Sequence, residues 1–236
     1  MDKKNLVITI ERQYGSGGRV TGKRLAEELG IHFYDEEILK MTSEESAIGE
    51  QYFRLADERA GNNLLYKIVG GLRDSLAKPS TKDDITSPDN LFRFQSDVIR
   101  NLAKAESCII AGRCADYVLD AEGIDVIKLF VYADMPTRIQ RVIDVDGVDE
   151  EEAVKRIRKI DRERKRYRKY FTGKEWDDMT NYDLPINATK IDLDQLAQLV
   201  KCYIKIRGYD IEKQSPFRKG RRIERQWLNY TTAECT

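Results

Sequence analysis

The segment 6–30, LVITIERQYGSGGRVTGKRLAEELG, constrains this chain more than any other. Leu6, Val7, Ile8 and Ile10 form an apolar, β-branched run, too short for a helix and closed by a polar loop, which predicts a buried strand. The loop runs from Glu11 to Gly18. From about Arg19 onward, Val20, Leu25, Ala26 and Leu29 recur at helical spacing until Gly30 supplies a stop. Gly15, Gly17 and Gly18 carry no Cβ that would hold an anion away, so successive backbone N–H groups can converge there. The helix start adds unpaired donors and a partial positive charge. In physical terms this is a phosphate cradle. The plainer alternative is a glycine-rich turn that only joins strand to helix, and the position directly after the first strand favours the cradle.

The alternation then repeats. Residues 31–34 (IHFY) read as a short strand delivering Asp35 to the sheet edge, or as the approach to a helix that carries Asp35, Glu36 and Glu37 near its start; both readings stand. Residues 43–78 are polar with helically spaced Tyr52, Leu55, Leu65, Ile68 and Leu72. A loop follows around Pro79 and Pro88, and 91–105 is helical again, so 36–106 reads as a mostly helical insertion. Strands are predicted at 107–111, ending at Gly112-Arg113-Cys114, at 125–132 (DVIKLFVY), and at 182–186. Leu193, Leu196, Ala197, Val200 and Ile204 form the stripe of a last helix. Strands alternating with helices imply right-handed crossovers and a parallel sheet covered on both faces. Ligands in such sheets gather at the carboxyl ends of the strands, where Gly15, Asp35, Gly112 and Arg113 all fall.

Residues 149–170 read as a helix with acids at its start and bases in its later turns. Between 155 and 169 stand ten Lys or Arg against Asp161 and Glu163. Such density is ordinarily a solvated, salt-bridged face. It also suits a lid that carries arginines onto a polyphosphate, since guanidinium groups fork onto phosphate oxygens. Arg158, Asp161 and Arg164 follow at i, i+3, i+6, roughly one face over two turns.

Charge excludes a global attraction to nucleic acid or membrane, because 41 basic residues balance 41 acidic ones over 236 positions. No apolar run approaches the roughly 20 residues that span a bilayer, and 1–4 lead straight into the first strand, so a cytoplasmic protein is expected. Cys108, Cys114, Cys202 and Cys235 show no C-x-x-C spacing, which argues for reduced thiols. His32 is expected to pack rather than catalyse, and Trp176 to anchor its loop to the core. The basic, aromatic tail over 209–236 has no assigned role; nucleic acid is a less favoured partner through it and the basic helix.

Taken together, ITIERQYGSGGR with GKRLAEELG, FYDEE, IIAGRCADYVL, DVIKLFVYAD, RKIDRER and YDLPINAT resemble, in order and spacing, the cytidylate kinase-like family of P-loop nucleoside monophosphate kinases, over roughly residues 5–205. The resemblance implies an α/β P-loop NTPase-type three-layer fold: a five-stranded parallel sheet, a helical acceptor-binding insertion and an arginine-bearing lid. It divides the chain into a kinase domain over 1–208 (core 1–35 and 107–208, insertion 36–106, lid about 149–175) and the tail. It implies Mg2+-dependent transfer of the ATP γ-phosphoryl group to CMP, dCMP or another phosphorylated small molecule. Gly15, Ser16, Gly17, Gly18 and Arg19 would hold the ATP phosphates, with Asp35 on the acceptor side and Arg113 on the acceptor phosphate. Arg158 and Arg164 would clamp the transferring group, oriented by Asp161.

The chain departs from the family pattern at the loop. Against G-x-x-x-x-G-K-S/T, Arg12 stands at the first glycine, Gly18 at the lysine and Arg19 at the metal-binding hydroxyl. Arg19 or Arg12 is the candidate replacement for the cation, and Ser16 a candidate for the metal. A shifted frame over Gly17, Gly22 and Lys23 falls within the predicted helix and reads as coincidence. Cys114 occupies the place of an expected Asp, and Lys40 and Met41 those of a tyrosine and an arginine. A nucleotide-binding protein that has lost catalysis is the alternative to an enzyme.

Overall fold

Five strands form one all-parallel sheet in the order β2-β3-β1-β4-β5: β1 (Val7–Arg12), β2 (His32–Tyr34), β3 (Cys108–Ala111), β4 (Ile127–Tyr132) and β5 (Leu184–Asn187). The computed structural model describes residues 5–46 and 87–210, so the helices expected within 47–86 and the tail from 211 lie outside the described residues. The helices are α1 (Gly18–Leu29), α2 (Glu37–Ser46), α3 (Pro88–Ala105), α4 (Ala115–Ala121), α5 (Met135–Asp146), α6 (Glu150–Thr172) and α7 (Leu193–Ile206). Among the described residues, no helix is long and apolar enough to cross a membrane.

The period-2 alternation of β1 divides the core. Leu6, Ile8 and Ile10 pack with Leu25, Leu196 and Val200 on one face, and Val7 packs with Ile110, Phe92 and Val118 on the other. Each fully buried aliphatic side chain contributes about 1.5–3 kcal/mol, so these two layers hold the sheet in register. In that register Ile10 stands opposite Ala111 and Arg12 opposite Val131. Glu11, next on the Val7 face, therefore emerges beside Gly112.

α1 ends at Gly30, whose φ of 64° suits a left-handed cap. Within α1, a Cβ at Gly22 would lie 2.6 Å from the Phe33 ring, so that glycine lets the helix lie close on the sheet. Lys23 is exposed on the same helix, and the shifted loop frame is helix, as its pattern predicts. β2 is an edge strand, which explains one correction: His32 is not buried in the core but lies exposed, its Nδ1 2.8 Å from Glu106 and its ring 5.8 Å from that of Tyr34. At the other end, Tyr209 extends the fold past Gly208. It is buried against the core and donates to Asp125 at 2.6 Å.

Candidate active site

At the carboxyl ends of β1, β2 and β3 lies a cleft of about 690 Å3, roofed by α6. The β3 end enters it through a strained turn. Gly112, Arg113 and Cys114 have φ of 75°, 60° and 53°, and a left-handed conformation costs roughly 1–2 kcal/mol for each non-glycine residue. The left-handed φ favours glycine at 112, and a Cβ there would lie 2.5 Å from the terminal guanidinium of Arg12, which would have to shift. Arg12 therefore rests across the end of β3 and reaches Asp35 at 3.0 Å. Its Nε is buried without a partner among the described residues.

Asp35 stands after β2 and just before α2, so both sequence readings of this segment describe part of it. One of its oxygens is held by Arg12 and the other by Arg19 at 2.7 Å. Arg19 also faces Glu36 at 3.6 Å and is half exposed.

α6 is fixed at both ends. The Asp149 side chain accepts from Glu152 at 2.8 Å, and Gly173, with φ of 69°, returns its N–H to Lys169. The inward stripe of this helix begins with Ala153 and Ile157, continues through Asp161, Arg164 and Arg168, and ends at Phe171. Steps of four and three residues keep these on one side. Successive steps of three instead drift about 60° each, so Arg158 leaves the stripe. It is exposed and does not line the cleft. Arg162 and Arg166 line it in Arg158's stead. This corrects the expectation of one face over Arg158, Asp161 and Arg164.

Arg164 donates to the backbone carbonyl of Arg12 at 2.7 Å. Burial, then the neighbouring Arg12 charge, pulls its pKa from the ordinary arginine range down to about 10, with Glu11, Asp161 and Asp35 opposing the shift. Asp161 turns its oxygens to the β1–α1 loop and α5, not to Arg158 or Arg164. It accepts the Tyr14 N–H at 2.9 Å and pairs with Arg138, which donates back to the Tyr14 carbonyl at 2.7 Å.

One turn further along, Arg168 and Asp116 form a two-pronged pair at 2.9 and 2.8 Å, both almost fully buried. Burial opposes the Arg168 charge, but Asp116 outweighs it and raises the pKa. Trp176 anchors its loop as expected. It packs edge-on against Phe130 and donates from Nε1 to Glu11 Oε2 at 2.9 Å.

The β1–α1 loop is supported from behind. Arg141 donates to the Ser16 and Ala188 carbonyls at 2.8 and 3.0 Å. A Cβ on Gly15 would lie 2.7 Å from the Arg138 carbonyl oxygen, and one on Gly17 would lie 2.4 Å from Leu193. These glycines thus have a packing reason as well as the anion-binding one read from the sequence. Gly17 caps α1 with φ of 90° and no side-chain hydrogen bond. Ser16 is fully buried, with its hydroxyl turned to the Gly18 N–H at 3.5 Å. With Arg19 engaged by two carboxylates, neither side chain suits a direct metal contact.

A parallel sheet with a glycine loop after its first strand, and an arginine-bearing helix over the strand ends, defines a P-loop-type kinase fold. The chain belongs to the cytidylate kinase-like family, whose model matches residues 7–190. It is 27% identical to a cytidylate kinase of Methanopyrus kandleri over 85% of this chain and 93% of that one. It is 25% identical to a cytidylate kinase of Pyrococcus horikoshii, covering 86% and 91%. A crystal structure of an uncharacterized protein from Eubacterium ventriosum superposes with a TM-score of 0.61 at 28% identity, over 85% of this chain and 99% of that one.

The sequence alone missed Glu11, Arg138, Arg141, Arg162, Arg166 and Arg168 as parts of this region. For Asp161, Arg164 and Arg168 the signal in the sequence was the four-and-three spacing that continues from Ala153 and Ile157.

Proposed function

We propose that this protein is a cytoplasmic nucleotide kinase that transfers the γ-phosphoryl group of ATP to a nucleoside monophosphate, with CMP or dCMP as the first candidates. The observation that carries the reading is the pair Arg12 and Arg164: both line the cleft at the strand ends, and Arg164 donates to the Arg12 carbonyl at 2.7 Å, so two guanidinium-bearing residues of like charge share one site. An incoming anion relieves the repulsion between these like charges. Residues 15–19 hold the donor phosphates, Arg113 the acceptor phosphate, and Arg164 the group in flight. Such transfer is mainly positioning and charge stabilisation, because the attacking phosphate is already an anion. Mg2+ enters the reading as the companion of ATP; with no side chain suited to direct contact in the loop, no step is assigned to it.

For Arg19 to replace the missing lysine it must leave Asp35. A binding protein without transfer is the second reading, favoured by Gly18 at the lysine position. The test is a product assay with ATP, Mg2+ and a panel of nucleoside monophosphates, paired with thermal shifts. Turnover supports the enzyme, and stabilisation without turnover supports the binding protein.

A further inference from the structure

Glu11 is one of four carboxylates, with Asp35, Glu36 and Glu163, in a cleft whose charged lining is mainly cationic. It is 94% buried at the end of β1, since its relative exposure is 6%, and it lines the cleft. Trp176 occupies Oε2. Among the described residues, Oε1 has no hydrogen-bond or ion-pair partner, and it is not sealed from the cleft. A carboxylate offers about four acceptor positions, and leaving them empty inside a protein is costly. A donor must therefore come from the ligand or from water.

A phosphate is the wrong partner for this oxygen, because like charges repel. A metal ion is disfavoured by the guanidinium groups of Arg12 and Arg164 in the same cleft. A neutral hydroxyl fits. The position of Glu11 beside Gly112, one residue from Arg113, sets that hydroxyl near the phosphorylated end of the ligand. In a nucleotide the sugar hydroxyls are closer to the phosphate than the amino groups of the base.

We propose that Glu11 is a specificity-determining residue that accepts a hydrogen bond from a sugar hydroxyl of the acceptor. The inference rests on the reading of the cleft as the acceptor site. The Glu11 side chain is held for this role by the Trp176 indole, which fixes one oxygen and leaves the other to the ligand.

The probes are CMP and 2′,3′-dideoxycytidine 5′-monophosphate, which lacks both sugar hydroxyls, titrated by calorimetry into wild type and Glu11→Gln. Wild type binds CMP at least tenfold tighter than the dideoxy compound, and in Glu11→Gln the ratio falls to threefold or less, with affinity for the dideoxy compound preserved. A ratio equal in both proteins, or equal loss of both ligands, overturns the proposal. So does a wild type that binds neither. If Glu11→Gln melts early, Glu11→Asp, which keeps the charge opposite Trp176 but withdraws it from the cleft, replaces it: a ratio reduced to threefold or less supports the proposal, and an unchanged ratio overturns it. Hydroxyl-dependent binding without transfer from ATP overturns the kinase reading alone, and transfer to CMP with an unchanged ratio overturns this inference alone.

Discussion

Asp161 takes the backbone N–H of Tyr14 at 2.9 Å with one oxygen and holds Arg138 with the other, while Arg138 closes the ring onto the Tyr14 carbonyl. Both backbone groups of one loop residue are thus engaged by a single ion pair between α5 and α6. Arg138 is almost fully buried, so neutralising its partner strands a charge. Asp161→Asn is expected to cost about 3 kcal/mol, the low end for breaking a buried pair. Urea unfolding measures the loss, and binding of an ATP analogue should weaken with it because the loop loses its brace.

Arg158 and Arg164 lie on the same helix and should behave oppositely. Arg158 is exposed and outside the cleft, so Arg158→Ala should change stability by no more than about 0.5 kcal/mol and leave nucleotide affinity unchanged. Arg164→Ala removes a cation that points at the loop and donates to Arg12. Nucleotide affinity is expected to fall at least tenfold, measured by calorimetry with CMP and with an ATP analogue.

The sheet was legible because its strands are short, β-branched and separated by helical patterns, and DVIKLFVY became β4 where its pattern placed it. The loop and the turn at Gly112 announced themselves by glycine. Partners were not legible. Nothing local to Asp161 tells that its carboxylate meets Tyr14, 147 positions away, and an i, i+3, i+6 count overlooks the rotation that turns Arg158 outward. His32 failed for a related reason: its pattern shows a strand but not that the strand is an edge.

Arg168 and Asp116 test how far a buried pair stabilises this fold. Each is 2–3% exposed and they share two hydrogen bonds. Asp116→Asn alone is expected to cost about 3–5 kcal/mol, and Arg168→Met alone a similar amount. The double variant should be less destabilised than the sum by more than about 1 kcal/mol, because no charge is left alone. Urea unfolding of the four proteins completes the cycle; additive losses would mean that the two residues act independently.

Glycine at position 15 serves conformation and packing together, which a comparison separates. Gly15 has φ of 76° and a Cβ would meet the Arg138 carbonyl oxygen at 2.7 Å, whereas a Cβ on Gly123, with φ of 68°, would meet nothing within 4 Å among the described residues. Gly123→Ala should cost only the left-handed strain, about 1–2 kcal/mol. Gly15→Ala adds a clash with backbone that has no free end to move, and is expected to lose at least about 2 kcal/mol more. Chemical denaturation of the two variants gives the difference directly.

Arg164 makes anion binding depend on pH in an unusual range. Its pKa is lowered from the ordinary arginine range to about 10 by burial and by Arg12, so the free protein gives up that proton before an ordinary arginine would. An anion in the cleft favours the charged form and raises the pKa again. The complex therefore holds more protons than the free protein as pH rises through 10, and linkage requires affinity to decline there. Affinity should be flat up to about pH 9 and then fall, approaching tenfold per unit above pH 10. For folding the sign is reversed. Above pH 10, up to the ordinary arginine range, the unfolded chain holds the extra proton, so this one group adds stability as pH rises, while below 10 it costs the folded state its full penalty. Calorimetric titration of an ATP analogue near pH 10, in buffers of different ionisation enthalpy, should record proton uptake on binding. In Arg164→Lys, whose ordinary pKa is about 10.4, the decline should begin at least one pH unit lower. A flat profile to pH 10.5 in both proteins would mean that Arg164 does not face the bound anion.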